Sequence, residues 1–197
     1  MPDDPYVYPG TDCLRNRLGI RDADELQRVE AERTSAVLAL LERRPIAGGY
    51  DLSHLKAFHR RIFGDVYEWA GEPRTVAIAK EQSLFALPEQ IEPYLTCVFA
   101  DLAEDHFLRG LPREEFVERL THYYAELNAV HPFREGNGRT LRAFLGQLAR
   151  DAGYRVAWER IGGERNNRAS AASLRGDNGP LQAMLDDFVE PLSAGED

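Results

Sequence analysis

Two cysteines, Cys13 and Cys97, are all that the 197 residues contain. They lack the short spacing of a metal site, and two thiols in a chain of this length make no disulfide framework. Long apolar runs are missing as well. No stretch approaches the roughly 20 apolar residues that span a bilayer, and the opening MPDDPYVYPG has neither a basic region nor an apolar segment. The chain is therefore expected to be cytoplasmic and reduced, with no membrane attachment. Positive charge is scarce too: 24 Lys and Arg stand against 33 Asp and Glu, a formal charge of -9, which speaks against a broad nucleic-acid footprint. What is present is ordinary globular composition, 43% hydrophobic and 29% charged, at a length that suits one domain with a real core. A single domain over 1–197 is expected, with its core about 8–192 and a short polar tail at 193–197.

Helical periodicity dominates the chain. DADELQRVEAERTSAVLALLERR places Leu26, Val29, Ala36 or Val37, Leu40 and Leu41 at helical spacing behind capping aspartates. DLSHLKAFHRRIFG repeats the pattern with Leu52, Leu55, Phe58 and Ile62 and stops at Gly64. PEQIEPYLTCVFADLAED reads as a helix through Ile91, Leu95, Val98 and Leu102, in which Pro93 must sit in a first turn or bring a kink. In PREEFVERLTHYYAELNAV, Phe116, Leu120, Tyr123, Tyr124 and Leu127 face inward. RTLRAFLGQLARDAG buries Leu141, Phe144, Leu145 and Leu148, and after an extended YRVAW two more helices are expected in ERNNRASAASLRG and PLQAMLDDFVEPL. Between the second and third helices, GEPRTVAIAKEQSLFALPEQ changes character. Its TVAI and LFAL runs flank a polar turn, so a β-hairpin is expected there.

The densest chemistry lies in HPFREGNGRTLR, residues 131–142, at the joint between two helices. The proline after His131 biases that histidine toward an extended backbone. The peptide N–H groups of Gly136, Asn137 and Gly138 can converge, because glycine tolerates unusual dihedrals, and the next helix adds the positive end of its dipole. That is an anion cradle. Arg139 and Arg142 share a face of the first turn and can reach successive phosphates. Glu135, just before the cradle, would repel phosphate unless a hard cation lay between them, which makes it the Mg²⁺ ligand. His131 lies beside the cradle, where it can take a proton from an incoming hydroxyl as general base. A glycine-rich turn alone is often only a turn; the four charged groups in register with it argue otherwise. His54, His59, His106 and His122 read as capping, surface or satisfied interior groups, Tyr123, Tyr124, Trp69 and Trp158 as core, and Cys97 as a buried small hydrophobe.

These residues carry a resemblance. HPFREGNGRTLR fills every specified position of the Fic-domain signature, and HLKAFHRRIFGDVYEWAGEPRTV and YPGTDCLRNRLGI are similar to the flap approach and the opening of bacterial Fic toxins. The resemblance implies a mainly α Fic fold, a helical bundle with a small β-hairpin flap over the active site. It implies transfer of AMP from ATP to a Ser, Thr or Tyr hydroxyl of a target protein. His131 would be the base, Glu135 the Mg²⁺ ligand, Gly136, Asn137 and Gly138 the cradle, Arg139 a phosphate clamp and Arg142 the γ-phosphate contact. Arg134 would join the nucleotide contacts, with Lys80 reaching in from the flap, and Phe133 would anchor the loop. The flap, about 74–87, would bind an extended target segment by strand addition. Two alternatives stand beside this: a Fic-like kinase of the Doc type, which carries lysine where this chain has Gly138, and a catalytically silent nucleotide-binding or docking module. Proteins resembling this one are often restrained by a helix whose glutamate pairs with the second arginine of the signature. The only glutamate followed here by Gly or Asn is Glu135 itself, and SLRGDN, residues 173–178, offers aspartate in an interrupted helix. A small helical antitoxin acting in trans on Arg142 is therefore expected.

Overall fold

The computed structural model describes residues 4–80 and 83–192, with the side chains of Lys80 and Ser83 also outside the description. The described residues contain seven α-helices, two short 3-10 turns and two small antiparallel sheets: α1 Ala23–Arg43, α2 Leu52–Phe63, α3 Pro88–Glu104, α4 Arg113–Val130, α5 Asn137–Asp151, α6 Gly163–Leu174 and α7 Gly179–Phe188. The first sheet pairs β1 Ala79–Lys80 with β2 Ser83–Leu84, and the second pairs β3 Tyr154–Val156 with β4 Val189–Pro191.

Most boundaries follow from local chemistry. Asp22 and Asp51 open α1 and α2 by accepting the N–H of Glu25 and His54, each at 2.8 Å, which satisfies an otherwise orphaned helix-start amide. Pro112 precedes α4, and Glu114 and Glu115 in its first turn complement the helix dipole. The centre of the bundle is α5, packed against α1, α2, α4 and β3. Its Phe144 is wholly buried and meets Phe58, Phe99 and Tyr50 edge-on at centroid distances of 5.5–5.8 Å, the arrangement aromatic quadrupoles favour. Gln147 clamps the chain after α1 through both the N–H and the C=O of Ile46.

Several expectations change. In α1 the buried positions are Leu26, Glu30, Thr34 and Leu41, while Ala36 and Leu40 are exposed. The inner face is thus interrupted by two polar residues, and a purely apolar period cannot find it. Cys97 is exposed and Cys13 buried, because Ile91, Leu95, Val98, Phe99 and Leu102 define the inner face of α3 and Cys97 falls outside it. Pro93 lies within α3, beyond the first turn. Tyr123 and Tyr124 are core, whereas Trp69 and Trp158 are half-buried against it. The last helix stops at Phe188, and Val189–Pro191 pairs with β3 instead, a strand hidden from the sequence because DDFVEPL also fits helical spacing. The flap forms where expected but pairs only Ala79 with Leu84 and Lys80 with Ser83. Residues 75 and 76 are held away from the ladder by other partners: the Val76 carbonyl accepts from Arg74, and the Thr75 N–H donates to the Tyr6 hydroxyl, while the Ile78 carbonyl still accepts the Phe85 N–H across the hairpin at 3.3 Å.

Candidate active site

The joint between α4 and α5 is built by two left-handed residues. His131 ends α4 at φ 49° and ψ 63°, not in the extended region, even though Pro132 follows it. Such a conformation costs a β-carbon-bearing residue roughly 1–2 kcal/mol and persists only where neighbours hold it. Here its N–H still closes the helix on Leu127, its carbonyl accepts from the Arg74 guanidinium at 2.8 Å, and its ring stacks on Phe85 at 3.8 Å. Gly136 precedes α5 at φ 78°, and a Cβ there would lie 2.2 Å from the Phe63 ring. Only glycine satisfies both constraints.

Between these two turns the loop is held from inside. Asn137 is buried, and its amide takes both polar groups of Phe133, accepting the N–H at 2.8 Å and donating to the carbonyl at 2.7 Å. Its side chain therefore serves the loop, and only its peptide N–H is left for an anion. No side chain caps α5, so the amides of its first turn lack intrahelical acceptors and point at the approach to the loop. The Gly136 N–H, expected in the cradle, is taken by Glu135 Oε1 at 2.8 Å. A carboxylate thus occupies the place where the helix dipole favours an anion.

The charged groups divide sharply. Arg139 donates to Glu30 Oε1 at 2.5 Å and to Thr34 Oγ1 at 3.1 Å, lies 3.6 Å from Glu135, and sits over the Phe63 ring. The other oxygen of Glu30 accepts the Tyr67 hydroxyl, and burial together with that bond holds the phenol far above its usual range. Arg142, in contrast, makes no hydrogen bond or ion pair among the described residues, and its guanidinium lies close over Gly138. Arg134, expected among the nucleotide contacts, is tied to the N-terminal segment: Nε and Nη2 both donate to Asp4 Oδ2, at 3.0 and 2.8 Å. The Lys80 side chain lies outside the described residues.

His131 and Gly138 line one small cleft with Asn128 and Leu141. His131 Nδ1 lies 3.1 Å from the Asn128 carbonyl, which can only accept, so Nδ1 carries the proton and the neutral ring has its lone pair on Nε2. Beyond the loop an open groove of about 370 Å³ is lined by Glu30, Tyr67, Glu135, Arg139 and residues of α1 and the N-terminal segment. The Glu135 side chain is 46% exposed there, against 6% for Glu30, so of these two it is Glu135 that can meet an external cation, with Asp12 and Asp24 farther along the same groove. Among the described residues no three acidic, Cys or His groups form a cage. Mg²⁺ is commonly held by one or two carboxylates and completed by substrate phosphates, and Glu135, the accessible carboxylate that adjoins the loop amides, fits that ion.

Three residues of this site escaped the sequence reading. Glu30 is hidden inside a helical stripe, Arg74 is expected only as the first residue of the flap, and His59, expected as a capping, surface or satisfied interior histidine, is indeed a satisfied interior one, but at this site. His59 Nδ1 accepts the Gly71 N–H at 2.8 Å, so Nε2 carries the proton and donates to the Glu135 carbonyl at 3.0 Å. Burial lowers its pKa to about 4, the bond to Glu135 only partly opposing this. Sandwiched against Phe133 at 3.9 Å, it is a neutral brace for the loop.

Comparison with known proteins agrees with this geometry. The Fic/DOC family model matches residues 49–149. The chain is 46% identical over 183 residues to "Protein adenylyltransferase VbhT" of Bartonella schoenbuchensis, covering 93% of this chain but 38% of that protein. It is 40% identical over 193 residues to "Probable protein adenylyltransferase Fic" of Escherichia coli, covering 98% of this chain and 96% of that one. Among solved structures, the BepC protein of Bartonella tribocorum with bound AMPPNP superposes with a TM-score of 0.89 at 27% identity, covering 95% of this chain and 97% of that one. An N-terminal Fic domain from Bartonella quintana with bound ADP gives 0.89 at 28% identity, over 96% of each chain. With the signature intact, the helical bundle and hairpin in place and these relatives aligned over nearly its whole length, the chain belongs to the Fic/DOC family.

Proposed function

We propose that this chain is a protein adenylyltransferase that moves AMP from ATP to a Ser, Thr or Tyr hydroxyl of a target protein. The observation that carries the reading is the pairing, across one short loop, of a histidine whose Nδ1 is held by the Asn128 carbonyl with a helix N-terminus that no side chain caps, beside an Arg142 that has no partner among the described residues. Relatives named protein adenylyltransferase and solved neighbours holding AMPPNP or ADP support it. His131 Nε2 takes the acceptor proton as the hydroxyl oxygen attacks the α-phosphorus. The new bond joins that oxygen to the α-phosphorus, the bond to the β-phosphate bridging oxygen breaks, and pyrophosphate leaves with the electron pair. The N–H groups of Asn137 and Gly138 and the dipole of α5 hold phosphate oxygens, and Arg142 holds the γ-phosphate. Arg139, already neutralised by Glu30, acts as a clamp by shaping the cradle. Mg²⁺ held by Glu135 would neutralise phosphate charge as it shifts toward the leaving group.

The acceptor is presented by the flap, along which an extended target segment adds as a further strand. A small helical antitoxin restrains the enzyme by offering a carboxylate to Arg142 in place of the γ-phosphate. Glycine at 138, where the kinase branch carries lysine, favours AMP over phosphate transfer. The deciding experiment incubates the chain with a lysate, ATP and Mg²⁺ and reads modified proteins by mass. Addition of AMP supports the proposal. Addition of phosphate would make the chain a kinase, and nucleotide binding without any product would make it a silent module.

A further inference from the structure

Arg74 is 2% exposed, and it is a charged residue with no carboxylate partner among the described residues. A guanidinium in that position is tolerated only if its donors are satisfied. Four bonds do so, all to backbone carbonyls: Nε to His131 at 2.8 Å, Nη1 to Val76 at 2.8 Å, and Nη2 to Ala86 at 2.5 Å and Val130 at 3.1 Å. The Arg74 N–H adds a fifth, to the Pro132 carbonyl at 2.8 Å. The carbonyls of three consecutive residues, 130–132, therefore converge on one residue. They do so at the negative end of α4, where orphaned carbonyls and the helix dipole supply the counter-charge that a carboxylate otherwise would.

Convergence of this kind needs the turn to fold back at His131, which is what its left-handed conformation provides. The remaining two carbonyls belong to the two limbs of the flap, Val76 before β1 and Ala86 after β2. The same guanidinium thus grips the base of the flap on both sides and the backbone of the histidine beneath it. Next to Ala86, Phe85 stacks on the His131 ring, and the Ala86 N–H donates to the Ala129 carbonyl of α4. Lysine could not replace the fork: an ammonium is a compact point charge, without the planar spread that reaches carbonyls on three segments at once.

We propose that Arg74 is the positioning residue of this site, tying the flap to the general base so that the docked target strand and the imidazole keep one register. The proposal rests on reading His131 as the base. Its first readouts are independent of turnover, so its failure is distinguishable from failure of that reading. Arg74→Gln and Arg74→Lys are prepared as the intact chain and compared by four measurements: amide exchange at Phe85 and Ala86, ¹⁵N spectra of the His131 ring, calorimetric titration with AMPPNP and Mg²⁺, and a thermal melt. The expected result is loss of protection at both amides, mixing of the His131 tautomers, and AMPPNP affinity within about twofold of the parent. Any transfer activity should fall by about 10²-fold, the usual penalty for an ångström of misplacement. Unchanged exchange and an unchanged histidine spectrum in Arg74→Gln would overturn the proposal. So would loss of AMPPNP binding and of cooperative melting in both variants, since Arg74 would then be a general scaffold residue.

Discussion

His59 and His131 are set to opposite tasks by what their Nδ1 atoms meet. An N–H faces His59 Nδ1 and forces its proton onto Nε2, where it braces the loop; a carbonyl faces His131 Nδ1, so that nitrogen donates, the tautomer that the proposed role as base requires. Replacing His131 with alanine should lower transfer by about 10²-fold or more, while ATP affinity stays near the parent value, since the proposed function assigns the nucleotide to the cradle and Arg142. A large loss of ATP binding in a calorimetric titration would remove His131 from the role of base. For His59 the consequence is one of stability. Its folded-state pKa of about 4 lies below the unfolded value of about 6.5. Between those values the unfolded chain binds the proton and the native chain does not. The contribution is therefore fully present above about pH 6.5 and is lost as the pH falls toward 4, to a total on the order of 3 kcal/mol. Urea melts of the parent and of His59→Gln across that window test this. The variant, though less stable at neutral pH, should show a flatter acid slope, and an equal slope would refute the brace as drawn.

At the scale of elements, the flap is a short hairpin held at its root. Only two residue pairs form its ladder, and the Val76 and Ile78 carbonyls are already used internally, by Arg74 and by the Phe85 N–H. What it can offer a target is the outward backbone between them. Proline at Ala77 removes an N–H there without touching the cradle, so target labelling should drop strongly while ATP affinity is kept. Labelling at the parent rate would argue that the target docks elsewhere. The hairpin itself was readable from its β-favouring runs around a polar turn. Its short pairing was not, since that depends on a guanidinium delivered from the preceding loop and on Tyr6 from the chain's start.

At the scale of the whole molecule, α1 and the signature loop are joined by a buried network of Glu30, Tyr67, Thr34 and Arg139. Removing one partner of a largely buried ion pair strands the other, so Glu30→Ala should destabilise the fold by about 3 kcal/mol in a denaturant melt. A loss below about 1 kcal/mol would place this pair with ordinary surface salt bridges. The same network explains how two arginines three residues apart differ in kind: Arg139 meets two glutamates, Arg142 none among the described residues.

The order of helices, their apolar faces from Phe116 to Leu148, and the run from His131 to Arg142 were determined by the sequence alone. Each rests on local rules: periodicity, caps, and a loop whose chemistry is written in adjacent residues. Tertiary structure decided what adjacency cannot express. His131 adopts a left-handed turn against the bias of its proline because Arg74, 57 residues away in the chain, captures its carbonyl. Asn137 turns its side chain inward, Arg134 is drawn off to Asp4, and a glutamate on the first helix claims Arg139. For His131, Arg134 and Arg139 the deciding partner is remote in sequence, while Asn137 takes a partner four residues back that only the folded loop presents; a buried polar group takes whichever partner the packed core brings within hydrogen-bonding distance.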